Sequence, residues 1–361
     1  MTKVLFVSHH LNVAGTETFM MNVYRNVDRQ KFKIDFLVFS NATSKYSDEI
    51  LKNGDKIYRL PDRKSGARYY KSLNSFFKSK SKEYNAIHWC GGNVSSVAPL
   101  FYAYKYKIPI RIVHSHNSAS KGLHNKILHG INRFLLPRLC THFFACSTLA
   151  GKYFFGDRNF EIINNCVDLD CFCYNDERRN MIREKLGIQK NTIVIGHIGR
   201  FDSVKNHKRI LDIYQQFSKQ SPDSLLLLVG NGELFDEVKK ESHNLGINHK
   251  VLLLGEREDI PDLLLAMDCF LMPSLFEGLP FVLVEAQATG LPCVVSSSMN
   301  KDVMFIPAFD FCNLSDSNQT WIEKIHNVIR QSNRMDTEKY FEQRGYSLKK
   351  LVSYLESIYE R

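Results

Sequence analysis

Short apolar runs rich in β-branched residues recur along the whole chain, and stretches of helical periodicity separate them. Most of these runs are continuously apolar, which is typical of parallel strands buried on both faces. The predicted strands are Val4–Ser8, Ile34–Phe39, Lys56–Leu60, Ala86–Cys90, Ile110–His114, His142–Cys146 and Glu161–Ile163, then Thr192–Ile198, Leu225–Val229, Val251–Leu254, Cys269–Met272 and Pro292–Ser296. Strands that alternate with helices predict right-handed βαβ units, and two such sets predict two doubly wound domains.

The length of the chain agrees with two domains, because 361 residues exceed one ordinary hydrophobic core. We expect a Rossmann-like domain over residues 1–170 and a second over 171–338, joined near Asn164–Asn175. Residues 339–361 are predicted to form a C-terminal helix that is able to pack back on the first domain. Ligands of open α/β sheets bind at the carboxyl ends of the strands, so two such domains facing each other predict a ligand cleft.

Composition places the chain among globular proteins, with 44% apolar and 24% charged residues. Its apolar runs are shorter than the roughly 18 residues needed to span a bilayer. The N-terminus enters a strand pattern without the apolar core of a signal peptide. The nine cysteines form no C-x-x-C pair, lie mostly in apolar runs and are interpreted as buried thiols. We therefore expect a cytoplasmic protein.

The net charge of +10 is unevenly distributed. Residues 1–175 contain 25 Lys and Arg against 12 Asp and Glu, whereas residues 176–361 contain 23 against 26. This asymmetry favours an anionic partner for the first half, namely a nucleic acid, an anionic membrane or a phosphorylated substrate. A solubilising surface is the alternative. Helix-turn-helix, zinc-finger and RNA-binding aromatic signatures are not recognised, which disfavours nucleic acid.

The segment 273–286 places two carboxylates, Glu277 and Glu285, in a loop and on the helix that follows it. The preceding strand and turn predict a helix N-terminus near Phe281 and Val282, whose amides could cradle a phosphate. The carboxylates would accept hydrogen bonds from hydroxyl groups, which sugars and riboses carry in number. The alternative is an exposed loop glutamate and a surface helix glutamate.

Two cations follow the strand that ends at Ile198. Arg200 lies just past the strand and Lys205 lies near the start of the next helix. A forked guanidinium and a compact ammonium at one strand end suit a diphosphate. The alternative is an arginine paired with a local carboxylate.

Three further segments of the sequence are candidates for binding a ligand or a metal. Gly15, in the loop after the first strand, would let backbone approach a ligand closely. Neither that loop nor Gly230-Asn231-Gly232 has the three glycines of a dinucleotide fingerprint. His114 and His116 end another strand; two ligands alone are weak for a metal, and a histidine that polarises a substrate group fits better. For Asp168-Leu169-Asp170 a turn role is favoured over a metal clamp.

Together these motifs resemble the retaining glycosyltransferases of family 4, which have the two-domain GT-B architecture. The similarity covers nearly the whole chain and is strongest over residues 196–295. The segments Gly199-Arg200…Lys205-Asn206, Gly230-Asn231-Gly232, Gly255–Ile260 and Pro273–Ala286 occur there in family order and spacing. The His-Ser-His-Asn run ending at Asn117 and the basic, aromatic N-terminal half are most similar to bacterial capsule and exopolysaccharide transferases.

The resemblance implies a retaining hexosyl- or N-acetylhexosaminyltransferase that uses a nucleotide-sugar, here a UDP-sugar, without a metal or other cofactor. Arg200 and Lys205 would hold the donor diphosphate, Glu277 the transferred sugar and Glu285 the ribose. His116 would lie near the anomeric carbon, so the expected catalytic set is His116, Arg200, Lys205 and Glu277. The expected donor-binding residues are Gly15, Arg200, Lys205, Gly230, Arg257, Glu277, Gly278, Leu279, Phe281, Val282 and Glu285.

Two basic stretches of the first half carry apolar residues at helical spacing. Residues 63–82 interleave seven Lys and Arg with an aromatic stripe, and Lys121–Arg138 sets apolar residues beside four cations. Either helix could lie on an anionic membrane, or both could pack their stripes on the sheet. Their location in the positive half favours a lipid-linked saccharide acceptor and a peripheral position on the inner face of the cell membrane.

Other functions stay open at this stage. A nucleotide-sugar epimerase of the same architecture would form product without an acceptor. A binding or sensor protein would close on a nucleotide-sugar without consuming it.

Overall fold

A computed structural model describes residues 1–11, 15–116, 122–277, 280–299, 301–332, 334 and 337–361. The chain divides into two compact units, which we call unit 1 and unit 2. Unit 1 comprises Met1–Cys166 together with Gly345–Arg361, and unit 2 comprises Val167–Arg344. The chain therefore passes between units at 166/167 and 344/345, where the sequence placed domain limits at 170/171 and 338/339.

Unit 1 is built on a seven-stranded parallel sheet with the order β3-β2-β1-β4-β5-β6-β7. Elements are numbered in chain order. The strands are β1 Thr2–Ser8, β2 Phe32–Val38, β3 Ile57–Arg59, β4 Ala86–Gly91, β5 Ile110–Ser115, β6 His142–Ala145 and β7 Glu161–Ile162. The helices are α1 Gly15–Asn26, α2 Lys45–Lys52, α3 Ala67–Lys80, α4 Ala98–Lys105, α5 Leu123–Asn132, α6 Leu136–Leu139, α7 Thr148–Phe155 and, from the chain's end, α16 Leu348–Tyr359.

Unit 2 contains a six-stranded parallel sheet with the order β10-β9-β8-β11-β12-β13. Its strands are β8 Ile193–Ile198, β9 Ser224–Val229, β10 Val251–Leu253, β11 Cys269–Met272, β12 Cys293–Ser296 and β13 Phe309–Cys312. Its helices are α8 Leu169–Phe172, α9 Asp176–Lys185, α10 His207–Gln220, α11 Phe235–Asn244, α12 Ile260–Ala266, α13 Phe281–Ala288, α14 Asn318–Gln331 and α15 Glu338–Gln343.

The four inner strands of unit 2 are buried on both faces, which explains their continuously apolar sequences; they are β8, β9, β11 and β12. Leu227 and Phe270 belong to the hydrophobic cluster on one face of the sheet. Their chain neighbours Leu226 and Leu271 belong to the cluster on the other face. Since successive side chains of a strand point to opposite faces, a strand with two covered faces needs apolar residues at every position. Each of the twelve predicted strands is present, with ends shifted by at most two residues.

The C-terminal helix α16 belongs to unit 1, where it packs beside α1. Leu355 and Tyr359 on this helix are buried, and the Tyr359 hydroxyl lies 2.7 Å from His88 Nδ1 on β4. The Asp28 amide donates a 2.7 Å hydrogen bond to Glu356 Oε1. The chain thus returns to complete the core of the unit in which it begins.

In each sheet, the direction in which the chain adds successive strands reverses at one place. In unit 2 the chain moves outward from β8 to β9 and β10 on one side, and then continues from β11 on the other side of β8. In unit 1 the same change occurs between β1 and β4. Adjacent loops diverge at such a switch point and leave a crevice at the carboxyl ends of the strands, which is where open α/β sheets bind ligands.

Two interpretations of the sequence need correction. The apolar stripe of residues 63–82 does not face outward, because Tyr69, Leu73 and Phe77 on α3 are buried in the core of unit 1. The membrane interpretation of that helix is therefore wrong. All nine cysteines are unbridged, but Cys171 and Cys173 are exposed rather than buried.

Candidate active site

The loop between β8 and α10 carries both predicted cations at the switch point of unit 2. Arg200 is exposed, and its guanidinium has no ion pair with any of the described residues. Asp202 shapes the loop, because its Oδ1 accepts hydrogen bonds from the amides of Val204 at 3.0 Å and Lys205 at 3.1 Å. The turn places Lys205 just before the start of α10 at His207.

Lys205 is paired with Glu277, the first of the two predicted carboxylates. Lys205 Nζ lies 2.5 Å from Glu277 Oε1, and 16% of the lysine side chain and 13% of the glutamate side chain are exposed. The two residues are 72 positions apart in the sequence and meet because β8 and β11 are neighbouring strands. A mostly buried ammonium and carboxylate at this edge of the sheet form a charged site that can exchange partners with an ionic, hydroxyl-bearing ligand.

Gly230, another predicted donor-binding residue, allows the loops after β8 and β9 to touch. It has φ +131°, and a Cβ atom built there would lie 2.0 Å from the carbonyl oxygen of Gly199. Its amide donates a 2.8 Å hydrogen bond to the carbonyl of Gly255, which follows β10. The Phe201 amide similarly donates to the Asn231 carbonyl at 3.0 Å. These contacts fix the backbone on which Arg200 and Lys205 stand.

Helix α13 begins at the same edge of the sheet. Pro280 precedes it with extended backbone, and the amides of Leu283 and Val284 bond to the Pro280 carbonyl. The amides of Phe281 and Val282 have no acceptor among the described residues. They are donors of a helix N-terminus, as the sequence predicts, and can donate hydrogen bonds to an anionic ligand.

Glu285 lies on α13, one helical turn beyond Phe281. Its side chain is partly buried, and no side chain of the described part of the molecule donates a hydrogen bond to its carboxylate. Burial raises the pKa of Glu285 to about 7. A carboxylate that loses water without gaining a donor is destabilised, so hydroxyl groups of a ligand would find a strong acceptor here.

Three predicted donor-binding residues of unit 2 remain, namely Arg257, Gly278 and Leu279. Arg257 is held by Asp259 in its own loop, with Nε 2.8 Å from Oδ1 and Nη2 2.6 Å from Oδ2. The hydrogen bonds from Arg257 lower the pKa of the Asp259 carboxyl. Gly278 and Leu279 lie outside the described residues.

Sequence reasoning missed the structural role of Asn206. This residue has left-handed backbone with φ 56°, and its Nδ2 donates a 3.1 Å hydrogen bond to the carbonyl of Pro273. Close by, the Leu275 amide donates to the Val204 carbonyl at 2.8 Å. These bonds join the lysine loop to the glutamate loop. Asparagine is among the non-glycine residues that best tolerate this conformation, and its place just after Lys205 was the available signal.

Gly15 and His116 belong to unit 1. Gly15 is exposed and begins α1, while the preceding loop residues 12–14 lie outside the described part of the chain. His116 follows β5, and its ring lies 5.1 Å from that of Phe19 and 4.1 Å from that of His114. Burial lowers the pKa of His116 to about 3, and its Nε2 is buried without a partner in the described structure. His116 is therefore a neutral imidazole at physiological pH.

Unit 1 also contains a buried group of potential metal ligands. His88, Cys90 and His114 have ligand atoms within 4.8 Å of one another. Both ring nitrogens of His88 already have partners, since Nδ1 contacts the Tyr359 hydroxyl at 2.7 Å and Nε2 contacts His114 Nδ1 at 3.2 Å. Hydrogen bonding within the core accounts for this proximity.

Asp168 has the turn role that the sequence favours. Its Oδ1 accepts hydrogen bonds from the amides of Asp170 at 3.2 Å and Cys171 at 3.4 Å, which caps the short helix α8.

Comparison with known proteins gives a consistent result. The family model described as "Glycosyl transferases group 1" matches residues 178–347. EpsF of Bacillus subtilis, described as a glycosyltransferase, is 31% identical over 99% of this chain and 96% of its own. An Escherichia coli enzyme named UDP-Gal:alpha-D-GlcNAc-diphosphoundecaprenol alpha-1,3-galactosyltransferase is 35% identical over 41% of this chain and 39% of its own. The structure of Anabaena HepE in complex with UDP superposes with a TM-score of 0.79 over 99% of both chains, at 18% identity.

Proposed function

Because the chain belongs to the group 1 glycosyl transferases, with the GT-B fold, we propose that it transfers a sugar from a UDP-sugar to a lipid-linked saccharide with retention of anomeric configuration. The product would be part of a bacterial surface polysaccharide. We place the enzyme in the cytoplasm, peripherally attached to the inner face of the cell membrane.

The observation that carries this proposal is the Lys205–Glu277 pair at the switch point of unit 2, in the same loop as Arg200, which has no ion pair among the described residues. The lysine neutralises the glutamate in this pair. A diphosphate would take over Lys205 and engage the free guanidinium of Arg200, since both cations form strong charge-assisted hydrogen bonds with phosphate. Glu277 would then be released to accept hydrogen bonds from hydroxyls of the sugar attached to that diphosphate.

Helix α13 would hold the rest of the donor. The amides of Phe281 and Val282, which have no acceptor in the described part of the chain, suit a phosphate oxygen. The carboxylate of Glu285, which has no donor there either, suits the hydroxyls of a ribose. The name of the Escherichia coli relative specifies a UDP-sugar donor and a saccharide on a diphosphate lipid, which supports the same two choices here.

The chemistry follows from the charge that develops on departure. The bond between the anomeric carbon and the diphosphate oxygen breaks, and a bond from that carbon to the acceptor oxygen forms on the same face of the sugar. The proton of the acceptor hydroxyl passes to the departing phosphate oxygen, so atoms and charges balance. Arg200, Lys205 and the α13 amides would stabilise the departing UDP, which is a task that such donors perform without a bound metal. Two roles in unit 1 remain predictions. Gly15 would lie at the donor phosphates, and His116 would lie near the anomeric carbon.

The proposal is tested with purified protein, a panel of UDP-, GDP- and ADP-sugars, and a lipid-linked saccharide acceptor. Lys205→Ala and Arg200→Ala should each lower kcat by about a hundredfold or more, the effect of losing one charge-stabilising donor. The matched control is Lys208→Ala, which removes an exposed lysine from the first turn of α10 and should leave kcat unchanged.

Three results would contradict the proposal. Wild-type turnover by either active-site variant would remove the assigned roles of the cations. Activity that is lost on adding a chelator and restored by magnesium would exclude metal independence. Conversion of a UDP-sugar to its epimer without any acceptor would replace the transferase by an epimerase.

A further inference from the structure

Helix α5 of unit 1 turns polar residues inward and apolar residues outward. His129 is buried, and its Nδ1 accepts a 3.2 Å hydrogen bond from the Val94 amide while its Nε2 donates to the Tyr153 carbonyl at 3.0 Å. One turn later, Asn132 Nδ2 donates to the Val94 carbonyl at 2.8 Å. The helix is thus attached to the unit through its polar side.

The opposite side of α5 exposes a row of large apolar side chains. Leu123, Ile127 and Ile131 follow one another at intervals of four residues and are 75%, 55% and 59% exposed. Phe134 and Leu135, just beyond the helix, are also exposed. We call these five residues the α5 apolar row. Helices that face water normally have the reverse arrangement, so this row is the part of α5 suited to an apolar partner.

The residues with formal charge in the surrounding sequence are all basic. Residues 84–156 contain eight Lys and Arg and not one Asp or Glu, over a stretch of 73 residues. Two of these cations are exposed: Lys126 on α5, which precedes Ile127, and Arg138 on α6, three residues after Leu135. Exposed apolar side chains accompanied by cations match the interface of an anionic bilayer, where acyl chains lie beneath negatively charged headgroups.

Helix α3 provides the contrast. It also has apolar residues at helical spacing among cations, but Tyr69, Leu73 and Phe77 face the core. No helix of the described residues is long and apolar enough to cross a bilayer.

We infer that the α5 apolar row inserts into the interfacial region of an anionic membrane. This inference rests on the proposed function, because a lipid-linked acceptor would be reached from that surface. It assigns attachment to α5 and α6 rather than to the positive charge of the N-terminal half as a whole. Binding should therefore have an apolar part that resists salt and an electrostatic part that does not.

The test measures protein flotation with vesicles, without any nucleotide-sugar. Vesicles of phosphatidylcholine with phosphatidylglycerol are compared with phosphatidylcholine alone, at about 0.1 M and about 1 M salt, between which the screening length falls from about 10 Å to about 3 Å. The variant Ile127→Gln/Ile131→Gln/Phe134→Gln should lower the partition coefficient about a hundredfold, or roughly fivefold for each side chain. The control Leu51→Gln, which changes an exposed leucine on α2, should bind as the wild type does.

A fluorescence measurement gives a second readout. The two native tryptophans, Trp89 and Trp321, are both buried. A tryptophan introduced by Ile127→Trp would therefore report on α5, and its emission should shift to the blue on anionic vesicles and be quenched by brominated lipid. Tryptophan introduced at Leu51 should do neither.

Opposite outcomes would overturn the inference. These are equal binding by the triple variant and wild type, binding that salt abolishes completely, or a chain that self-associates through the row and ignores vesicles. UDP binding, followed by thermal shift on the same preparations, separates this failure from failure of the proposed function. An intact donor site with no vesicle binding rejects only the membrane inference, whereas vesicle binding without UDP binding rejects only the proposed donor.

Discussion

Replacement of Glu285 by glutamine should make unit 2 more stable and the enzyme less able to bind its donor. The carboxylate is partly buried without a donor among the described residues, and burial raises its pKa from 4.5 to about 7. Glutamine has the same shape and no charge to desolvate. A ligand that donates hydrogen bonds to the carboxylate would give a reason for a glutamate at this position.

The sign of the pH dependence follows from the direction of this shift. Between pH 4.5 and about 7 the folded protein keeps a proton on Glu285 that the unfolded chain releases, so this residue lowers stability progressively as pH rises. Above about pH 7 the destabilisation is complete. At roughly 1.4 kcal/mol for each pKa unit, it is at most about 3 kcal/mol at pH 8 and below about 1 kcal/mol at pH 5.

Urea unfolding at the two pH values measures this difference. The free energy of unfolding of Glu285→Gln should exceed that of the wild type by about 2–3 kcal/mol at pH 8 and by much less at pH 5. Glu237→Gln, a change of an exposed glutamate on α11, is the matched control and should change stability little at either pH. A gain in stability from Glu285→Gln over the wild type that is no larger at pH 8 than at pH 5 would show that the carboxylate is not desolvated.

Donor affinity should move in the opposite direction. Calorimetric titration with UDP at pH 8 should give an affinity at least about tenfold weaker for Glu285→Gln, the loss of a charge-assisted hydrogen bond of about 1.5–3 kcal/mol. The ratio of wild-type to variant affinity should shrink toward pH 5, where both side chains are neutral. Equal affinities at pH 8 would refute the assignment of Glu285 to the ribose.

Two further predictions concern the backbone and the chain's end. Gly230→Ala should destabilise unit 2 by more than about 2 kcal/mol and abolish UDP binding, because its Cβ would lie 2.0 Å from the Gly199 carbonyl oxygen. Gly246→Ala, also at positive φ but with open space around it, should cost only about 1 kcal/mol in urea unfolding, and equal losses would contradict the contact argument. Truncation after Arg344 removes the buried Leu355 and Tyr359, so limited proteolysis should degrade unit 1 much faster than unit 2; equal protection of both units would show that α16 is dispensable.

The strands were predictable because a parallel sheet covered on both faces leaves a strong local signal. The run Leu225–Val229 is continuously apolar, and the structure buries its alternate residues in two different clusters. Strand β13, Phe309–Cys312, was not predicted, because it lacks this signal. It is an edge strand of four residues, contains Asp310, and is only partly buried. Its sequence therefore lacks the continuous apolar pattern on which the other predictions depended.

The places of the candidate residues after strands of unit 2 were predictable, but the pairing of Lys205 with Glu277 was not. Arg200, Lys205, Glu277 and Glu285 were found from residue type and position after strands. The contact of Lys205 with Glu277 depends on β8 lying next to β11, which is a property of strand order and leaves no mark in either segment. The raised pKa of Glu285 is likewise set by what surrounds α13 rather than by its own sequence.

Helices α3 and α5 show why periodicity alone could not decide which helix exposes its apolar stripe. Both have apolar residues at helical spacing beside cations, and that spacing establishes a stripe without deciding which way the stripe faces. The decision depends on the other side of each helix. On α5 that side carries His129 and Asn132, which bind the main chain at Val94 and so fix the polar face inward. A polar face that satisfies buried backbone groups leaves the apolar face outside, and a surrounding stretch without a single acidic residue then favours an anionic lipid surface over water.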